Sequence, residues 1–592
     1  MDKTTSRSER WTLPLVFALT AAFLIFRAVQ ASGTGPLFAD TDDAMRMVVV
    51  HDLLAGQNWF DHLQHRLNTP FGADIHWSRL VDLPIAGLLI VLRPLFGASA
   101  DMVAGYVYPL ALLLALLMLL ARLARRLVGP EGVLATVVLP LLTPSVIAEF
   151  TPGRMDHHSI QILLILALLA ATLAALERPG AAILAGVIAA TSLAIGTEAI
   201  TLVAAAVLTF GLFWAFAEGK GAALRNFGLA FGASALIHLA LYLPPSRWLE
   251  PACDALSIVY VLAATGTGLG FALLSLLPLR QPWQRLLVGA LVGAALVAGL
   301  LLAYPDCLKG PYAGLDPWLV SNWLDRVTEV EPLINRLRNL DPVGFGLAVP
   351  LVLAALALVL AIRGAPQKRL AWSVTALFFA AALAVTLLQI RGGRLAMPLA
   401  VIPLAWLIIA ARSRYLAKGT IGRALGLIGA WLGAAGLITA LVLAAYQVWR
   451  TDETANDGAA VSDGRSCLMP ENFADLAGLP PERVLTPIDM GSHLLLNTDH
   501  AVVGAPYHRN QRGVRDVFAF LNEPLESQRA MLAERGIGLI VTCADMPEMR
   551  VTDMAEPGSF VRLFPDSLPD WLVDQSLDDS PIRVFAILPA TP

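Results

Sequence analysis

WTLPLVFALTAAFLIFRAVQASGTGPLFADTDD, residues 11–43, joins an apolar stretch, Trp11 to Gln30, to the acidic patch Ala39-Asp40-Thr41-Asp42-Asp43. A bilayer crossing takes roughly 20 apolar residues, so the stretch reads as a membrane span. Lys3, Arg7 and Arg10 precede it and bias the N-terminus to the cytoplasm, which sends the aspartates outward. No small-residue cleavage site follows, so the span is expected to remain in the protein.

The rest of the 592 residues repeats the pattern: the chain is 57% hydrophobic and 15% charged, with a net charge of −4. Its mean hydropathy is +0.66. Such a composition excludes a soluble globular chain. Arg and Lys clusters at Arg122 to Arg126, Glu177-Arg178, Lys220 with Arg225, Arg280 with Arg285, Arg363 to Arg369 and Arg412 to Arg423 mark inside loops. Ile85 to Phe96 is short for a span and suits a helix lying at the outer interface. The fold class expected is a polytopic α-helical membrane protein of about 13 transmembrane helices with a C-terminal α/β extracytoplasmic domain. Its parts are a membrane region over 1–449, with outer loops at 31–101 and 305–345, and a soluble region over 450–592. After Trp449 the chain has no Lys and an excess of acid, which argues against a nucleic-acid partner.

This topology carries a second acidic motif, Gly153-Arg154-Met155-Asp156-His157-His158, to the same outer face as Asp40 to Asp43. It also puts Cys253, Cys307, Cys467 and Cys543 on the oxidising side, where pairing of Cys467 with Cys543 and of Cys253 with Cys307 is expected; the alternative is four free thiols. Carboxylates with imidazole suit Mg²⁺ or Mn²⁺. The first metal candidates are Asp40, Asp42, Asp156 and His158. Each motif also has a local reading, because Asp is a common N-cap for the helix starting near Ala44 and for the span after His158.

The order of these features resembles the C-type (GT-C) membrane glycosyltransferases: one span, an outer loop opening on an acidic motif with Arg46 six residues after Asp40, two further spans, then Asp156-His157-His158. It most resembles the catalytic subunit of oligosaccharyltransferase, in the Asp-His-His form of the archaeal branch. The resemblance implies transfer of a sugar or oligosaccharide, with inversion, from a polyprenyl-phosphate or pyrophosphate donor in the membrane lipid. The acceptor would be an extracytoplasmic glycan, glycolipid or protein. It favours Asp40 as the first-loop aspartate, metal ligand and acceptor-activating base, whereas proximity to the following helix favours Asp42 or Asp43.

Two more outer segments fit the resemblance. Val327-Thr328-Glu329-Val330-Glu331 looks like the family's short motif ending in a catalytic glutamate, here Glu329 with Glu331 as runner-up; a solvent-facing amphipathic turn is the alternative. Arg391-Gly392-Gly393-Arg394 breaks the inside bias for arginine, and its family counterpart holds the donor phosphate. Arg394 and Arg391 are therefore donor-phosphate candidates, with Arg79 in His76-Trp77-Ser78-Arg79 as a third; interfacial snorkelling is the alternative.

The resemblance fails in the outer domain. Where oligosaccharyltransferases carry Trp-Trp-Asp-Tyr-Gly to read the Asn-x-Ser/Thr acceptor, this chain has Pro487-Ile488-Asp489-Met490-Gly491. Asp489, with Tyr507, His508 and Arg509 of the following cluster, form the acceptor-binding candidates. Protein oligosaccharyl transfer is thus the alternative within the class. A transporter or flippase of lipid-linked glycans is the alternative outside it, disfavoured by how few charges fall within spans. The composition and the outer cysteines suggest an inner (plasma) membrane with the C-terminal domain periplasmic.

Overall fold

The computed structural model describes residues 3–451 except 313, then 464–550, 553–577 and 580–588. The charged side chains of Lys3, Arg7 and Arg10, and the start of the C-terminal region at 452–463, lie outside the described residues.

Long apolar helices dominate. Among the described residues, ten helices are long and apolar enough to cross a membrane, or twelve when two bent pairs, Pro130–Leu142 with Pro144–Phe150 and Ile421–Ala434 with Gly436–Trp449, each count as one span. The sequence leads to about thirteen, and the difference lies in Ala181–Ile195, an apolar helix of 15 residues that falls short of a full crossing. The first bent pair turns by 81°. Pro144 opens its second half, where the missing N–H and the ring cannot continue the preceding helix. The helix foreseen at Ile85 to Phe96 spans Arg79–Phe96 and is apolar on both faces: Val81, Ile85, Leu89 and Leu92 are buried, while Leu83, Ile90, Val91 and Leu95 are exposed.

Gly221–Tyr242 and Ile258–Leu276 pack where two glycines meet, and a Cβ on Gly268 would stand 2.5 Å from the carbonyl oxygen of Gly228. In an apolar solvent such close backbone approach supplies dispersion contact that burial from water cannot.

The C-terminal region is a mixed five-stranded sheet flanked by helices. Its strands are β3 (Arg483–Leu485), β4 (Ala501–Val502), β5 (Leu539–Thr542), β6 (Leu572–Asp574) and β7 (Arg583–Ile587), in the order β4-β3-β5-β7-β6. β3 is parallel to β4 and β5, whereas β7 is antiparallel to β5 and β6. The first outer loop, with its hairpin β1 (Leu63–Gln64) and β2 (Ala73–Asp74), docks on the β4 edge. There the Val502 N–H donates to the Arg66 carbonyl at 2.7 Å, and the Thr69 N–H to the Val502 carbonyl at 3.0 Å. The fully buried Arg535 fastens the loop by donating to the Thr69 carbonyl at 2.6 Å and to Asp516. Met45, Val48, Leu67 and Trp77 join the core of the outer domain, so the loop and that domain share one apolar cluster.

Replacing Gly268 with leucine would overpack the helix contact, at a cost of about 1–3 kcal/mol. A lower unfolding temperature in detergent is the expected result, and an unchanged one would mean that the glycine contact contributes nothing.

Candidate active site

The helix Thr41–Leu54 begins at the first acidic patch. Asp40 is its N-cap, its Oδ1 accepting from the Asp42 N–H at 3.0 Å, so the local reading holds. The same residue also takes part in a larger network. Its Oδ2 accepts from Arg154 at 2.7 Å, and the buried Asp43 accepts from that guanidinium at 3.0 Å. Asp43 Oδ1 in turn accepts from two consecutive backbone amides, Met155 at 2.7 Å and Asp156 at 3.0 Å. The turn entering this segment depends on Gly153, whose φ is +93° and whose missing Cβ leaves room for the Leu37 carbonyl, which a Cβ would approach to 1.9 Å.

Asp156 is thereby fixed in a buried position beside both histidines. Its Oδ1 lies 2.5 Å from His157 Nδ1 and 3.7 Å from Arg46. Its Oδ2 stands 3.2 Å from His158 Nε2 but is buried without accepting a hydrogen bond. Arg46, fully buried, donates to Asp82 at 2.7 Å and lies 4.2 Å over the Trp77 ring. His158 Nδ1 faces Glu198 at 3.2 Å, and Arg394 lies 2.7 Å from its Nε2. The guanidinium donates, so Nε2 accepts and Nδ1 carries the hydrogen toward Glu198.

Arg394 is held between two anions: Glu149 at 2.8 Å and Glu329 both pair with it. Glu149 also accepts from Arg154 at 3.0 Å, which joins the two arginines through one buried carboxylate. Glu329 is half-exposed, and its segment is held beside Arg391 by the Ile390 N–H, which donates to the Glu331 carbonyl at 2.9 Å. Glu331 itself pairs with Arg336 at 2.6 Å.

Asp42 differs from its neighbours in that its carboxylate makes no hydrogen bond or ion pair among the described residues. Burial, then the Asp156 and Asp40 charges, hold its carboxyl well above the ordinary carboxylate range. Burial likewise raises Asp43 to about 7, against the opposing pull of Arg154.

Asp40, Asp42, Asp156, His158, Glu329 and Arg394 therefore meet at one site. Asp156, His157 and His158 offer ligand atoms all within 4.8 Å of one another. With the unpartnered Asp156 Oδ2 and Asp42 beside them, the donor set fits a divalent cation.

Other candidates stand elsewhere. Arg79, a donor-phosphate candidate, is buried and engages the first outer loop, donating to the Asp61 carbonyl at 2.6 Å, the Gln57 side chain at 3.3 Å, Asp82 at 3.3 Å and the Trp59 carbonyl at 3.4 Å. Arg391 turns to the Tyr312 hydroxyl at 3.1 Å. Tyr507 is buried and donates to the Thr41 carbonyl at 3.0 Å, tying the outer domain to the helix that carries the aspartates. Asp489 opens the helix Ile488–Asn497, and its N–H donates to Glu548 at 2.9 Å. His508 and Arg509 both hold Asp254, at 2.7 and 2.8 Å. The cysteines form two disulfides, Cys253–Cys307 and Cys467–Cys543. Sequence reasoning gave no role to Glu149, Arg154 or Glu198. The signal for the first two was their place beside the Asp156 motif, and for Glu198 its position as an acid at a span end.

No protein-family model and no curated protein matches the sequence. Solved structures do. The archaeal oligosaccharyltransferase AglB from Archaeoglobus fulgidus, bound to an inhibitory peptide and a dolichol-phosphate, superposes with a TM-score of 0.63 at 14% identity, over 90% of this chain and 69% of that one. The Archaeoglobus fulgidus oligosaccharyltransferase tethered to an acceptor peptide with the NVT sequon gives 0.65 at 14% identity, with the same 90% and 69% coverage. Its complex with zinc and sulfate gives 0.54 at 14%, over 86% and 63%. The fold is that of a C-type membrane glycosyltransferase. The GT-C likeness covers membrane helices and outer domain together.

Glu548, in the outer domain, is pushed up to about 8, by burial first and then by the Asp489 charge. A carboxyl whose folded value exceeds its ordinary value of 4.5 binds its proton more tightly in the native state, so stability falls as pH rises from about 5 through 8. Glu548→Gln should flatten that decline in unfolding temperature; an undiminished slope would place its origin in other groups.

Proposed function

We propose that this protein is a membrane glycosyltransferase that moves a sugar or oligosaccharide from a polyprenyl-phosphate or pyrophosphate carrier to an acceptor on the extracytoplasmic side. The observation that carries the reading is the meeting of Asp42, Asp156 and His158 with the Arg394–Glu329 pair at one end of the helix bundle. The fold supports it, and the similar archaeal structures hold dolichol-phosphate in one case and an acceptor peptide in another.

Asp42, Asp156 and His158 would hold a divalent ion, Mg²⁺ or Mn²⁺ by the predominance of oxygen, with Asp40 as a fourth donor once released from Arg154. Such an ion, when bound, neutralises charge on the phosphate leaving group. Glu198 orients His158 by accepting from Nδ1, leaving Nε2 directed at the site. Arg394 binds the donor phosphate, and the half-exposed Glu329 is the carboxylate that yields its place. As the bond between sugar and phosphate oxygen breaks, a bond from the acceptor forms at the same carbon. Asp40, the more exposed first-loop carboxylate, takes the acceptor proton.

The acceptor favoured is a glycan or glycolipid. At the place of the sequon-reading motif, Ile488 and Met490 are buried in the outer-domain core and present nothing to a peptide hydroxyl. The protein is placed in the inner membrane with its N-terminus cytoplasmic and the outer domain periplasmic, in line with the charge bias and the two disulfides.

The test compares cells lacking the protein and rescued with wild type, Asp42→Asn, Asp156→Asn or Arg394→Ala at matched membrane levels. Each variant is expected to lower transfer at least about 100-fold, with the lipid-linked saccharide accumulating and one outer glycan missing by mass spectrometry. Full rescue by Asp156→Asn would move a transport role to the front, and glycosylated sequon peptides as product would restore protein as acceptor.

A further inference from the structure

A cavity of 710 Å³ opens where the first outer loop, the segment 243–257 and the outer domain meet. Three side chains of its wall, His76, Asp254 and His508, offer ligand atoms all within 4.8 Å of one another. Each comes from a different one of those parts. The two imidazole rings are 4.6 Å apart between centroids, and His508 Nε2 is 2.7 Å from Asp254 Oδ2. We propose that His76, Asp254 and His508 bind a divalent transition-metal ion of the zinc class, which clasps the outer domain to the two loops.

The ligand chemistry selects the ion. Two imidazoles and one carboxylate form a borderline set that suits zinc, whereas Mg²⁺ and Ca²⁺ take oxygen. Ligands at the usual zinc bond length stand about 3.4 Å apart, so closure from 4.8 Å asks for roughly an ångström of side-chain adjustment. The wall favours a cation: Asp74, Glu250, Asp254 and Asp306 face two guanidinium groups, Arg247 and Arg509.

The surroundings are already built to hold Asp254. Arg509 donates to both of its oxygens, at 2.8 and 2.9 Å, in the orienting part that an outer partner plays for a ligating carboxylate. The preceding residue, Cys253, is tied by disulfide to Cys307. The cavity leaves room for water or a ligand oxygen in a fourth position, as zinc sites that exchange ligands do. This site shares no residue with the Asp156 cluster, and the proposal does not depend on the reaction assigned there.

Full-length protein in detergent, stripped by chelator, would be dialysed against Zn²⁺ and its metal measured by plasma mass spectrometry. Wild type and Asp156→Asn should bind a zinc ion at least about tenfold more tightly than His76→Ala or His508→Ala. Co²⁺ in its place should give wild type the strong visible absorption of a four-coordinate site. His76→Gln, which keeps polar bulk at the interface, serves where the alanine variants do not fold: it should lose both the absorption and the zinc-dependent rise in unfolding temperature. Wild-type zinc affinity in His76→Gln, or zinc lost only in Asp156→Asn, would overturn the proposal.

Discussion

One buried carboxylate holds the candidate site together. Asp43 receives two successive amides of the Asp156 loop and the Arg154 guanidinium, so it fixes the position of one acidic motif relative to the other across more than a hundred residues of chain. A buried ionised carboxylate is costly unless its lone pairs are filled. Here an arginine and backbone dipoles fill them. Losing one partner of such a network costs about 3–5 kcal/mol through the charge left behind, so this contact ties the geometry of the site to the stability of the bundle end.

The same end is braced by the outer domain. Tyr507 reaches the first turn of Thr41–Leu54, the rings of Trp77 of the first outer loop and Tyr507 pack at right angles with centroids 5.4 Å apart, and Arg46 lies over the Trp77 ring while reaching Asp82 and Asp156. A chain of packed aromatics and buried charges thus runs from the soluble domain to Asp156. The first outer loop belongs mechanically to both parts, because Arg535 and the β4 edge hold it on one side and Arg46 engages it on the other.

Much of this was legible in the chain. Apolar length and arginine bias gave the helices and brought Asp40 to Asp43, Asp156 to His158, Glu329 and Arg394 to one face, because bilayer thickness and positive charge leave few topologies open. The thirteenth helix, Ala181–Ile195, was visible by hydropathy although its 15 residues stop short of a crossing. The register of the first-loop aspartates was not legible. Three carboxylates in four residues differ only in which way a helix turns them, and only coordinates show that Asp40 and Asp43 share Arg154 while the Asp42 carboxylate has no partner among the described residues. The surroundings of Arg79 were hidden for a related reason: sequence shows a cation on the outer side but not the loop carbonyls that its guanidinium engages.

The arrangement around Arg394 bears on how an anionic donor would enter. Its guanidinium is held by Glu149, Glu329 and the His158 ring. A phosphate paired with it in two-pronged fashion would compete with one of these. Glu149 is buried and also bound to Arg154, so its departure would strand two charges, whereas Glu329 is half-exposed on a short 3₁₀ turn and can pass into water. Exchange at the proposed donor site would therefore run through Glu329, and the carboxylate released would be one carried by an outer loop. Under the proposed reaction, binding of the donor and movement of that loop would be one electrostatic event, because the guanidinium would trade one anion for another without being left bare.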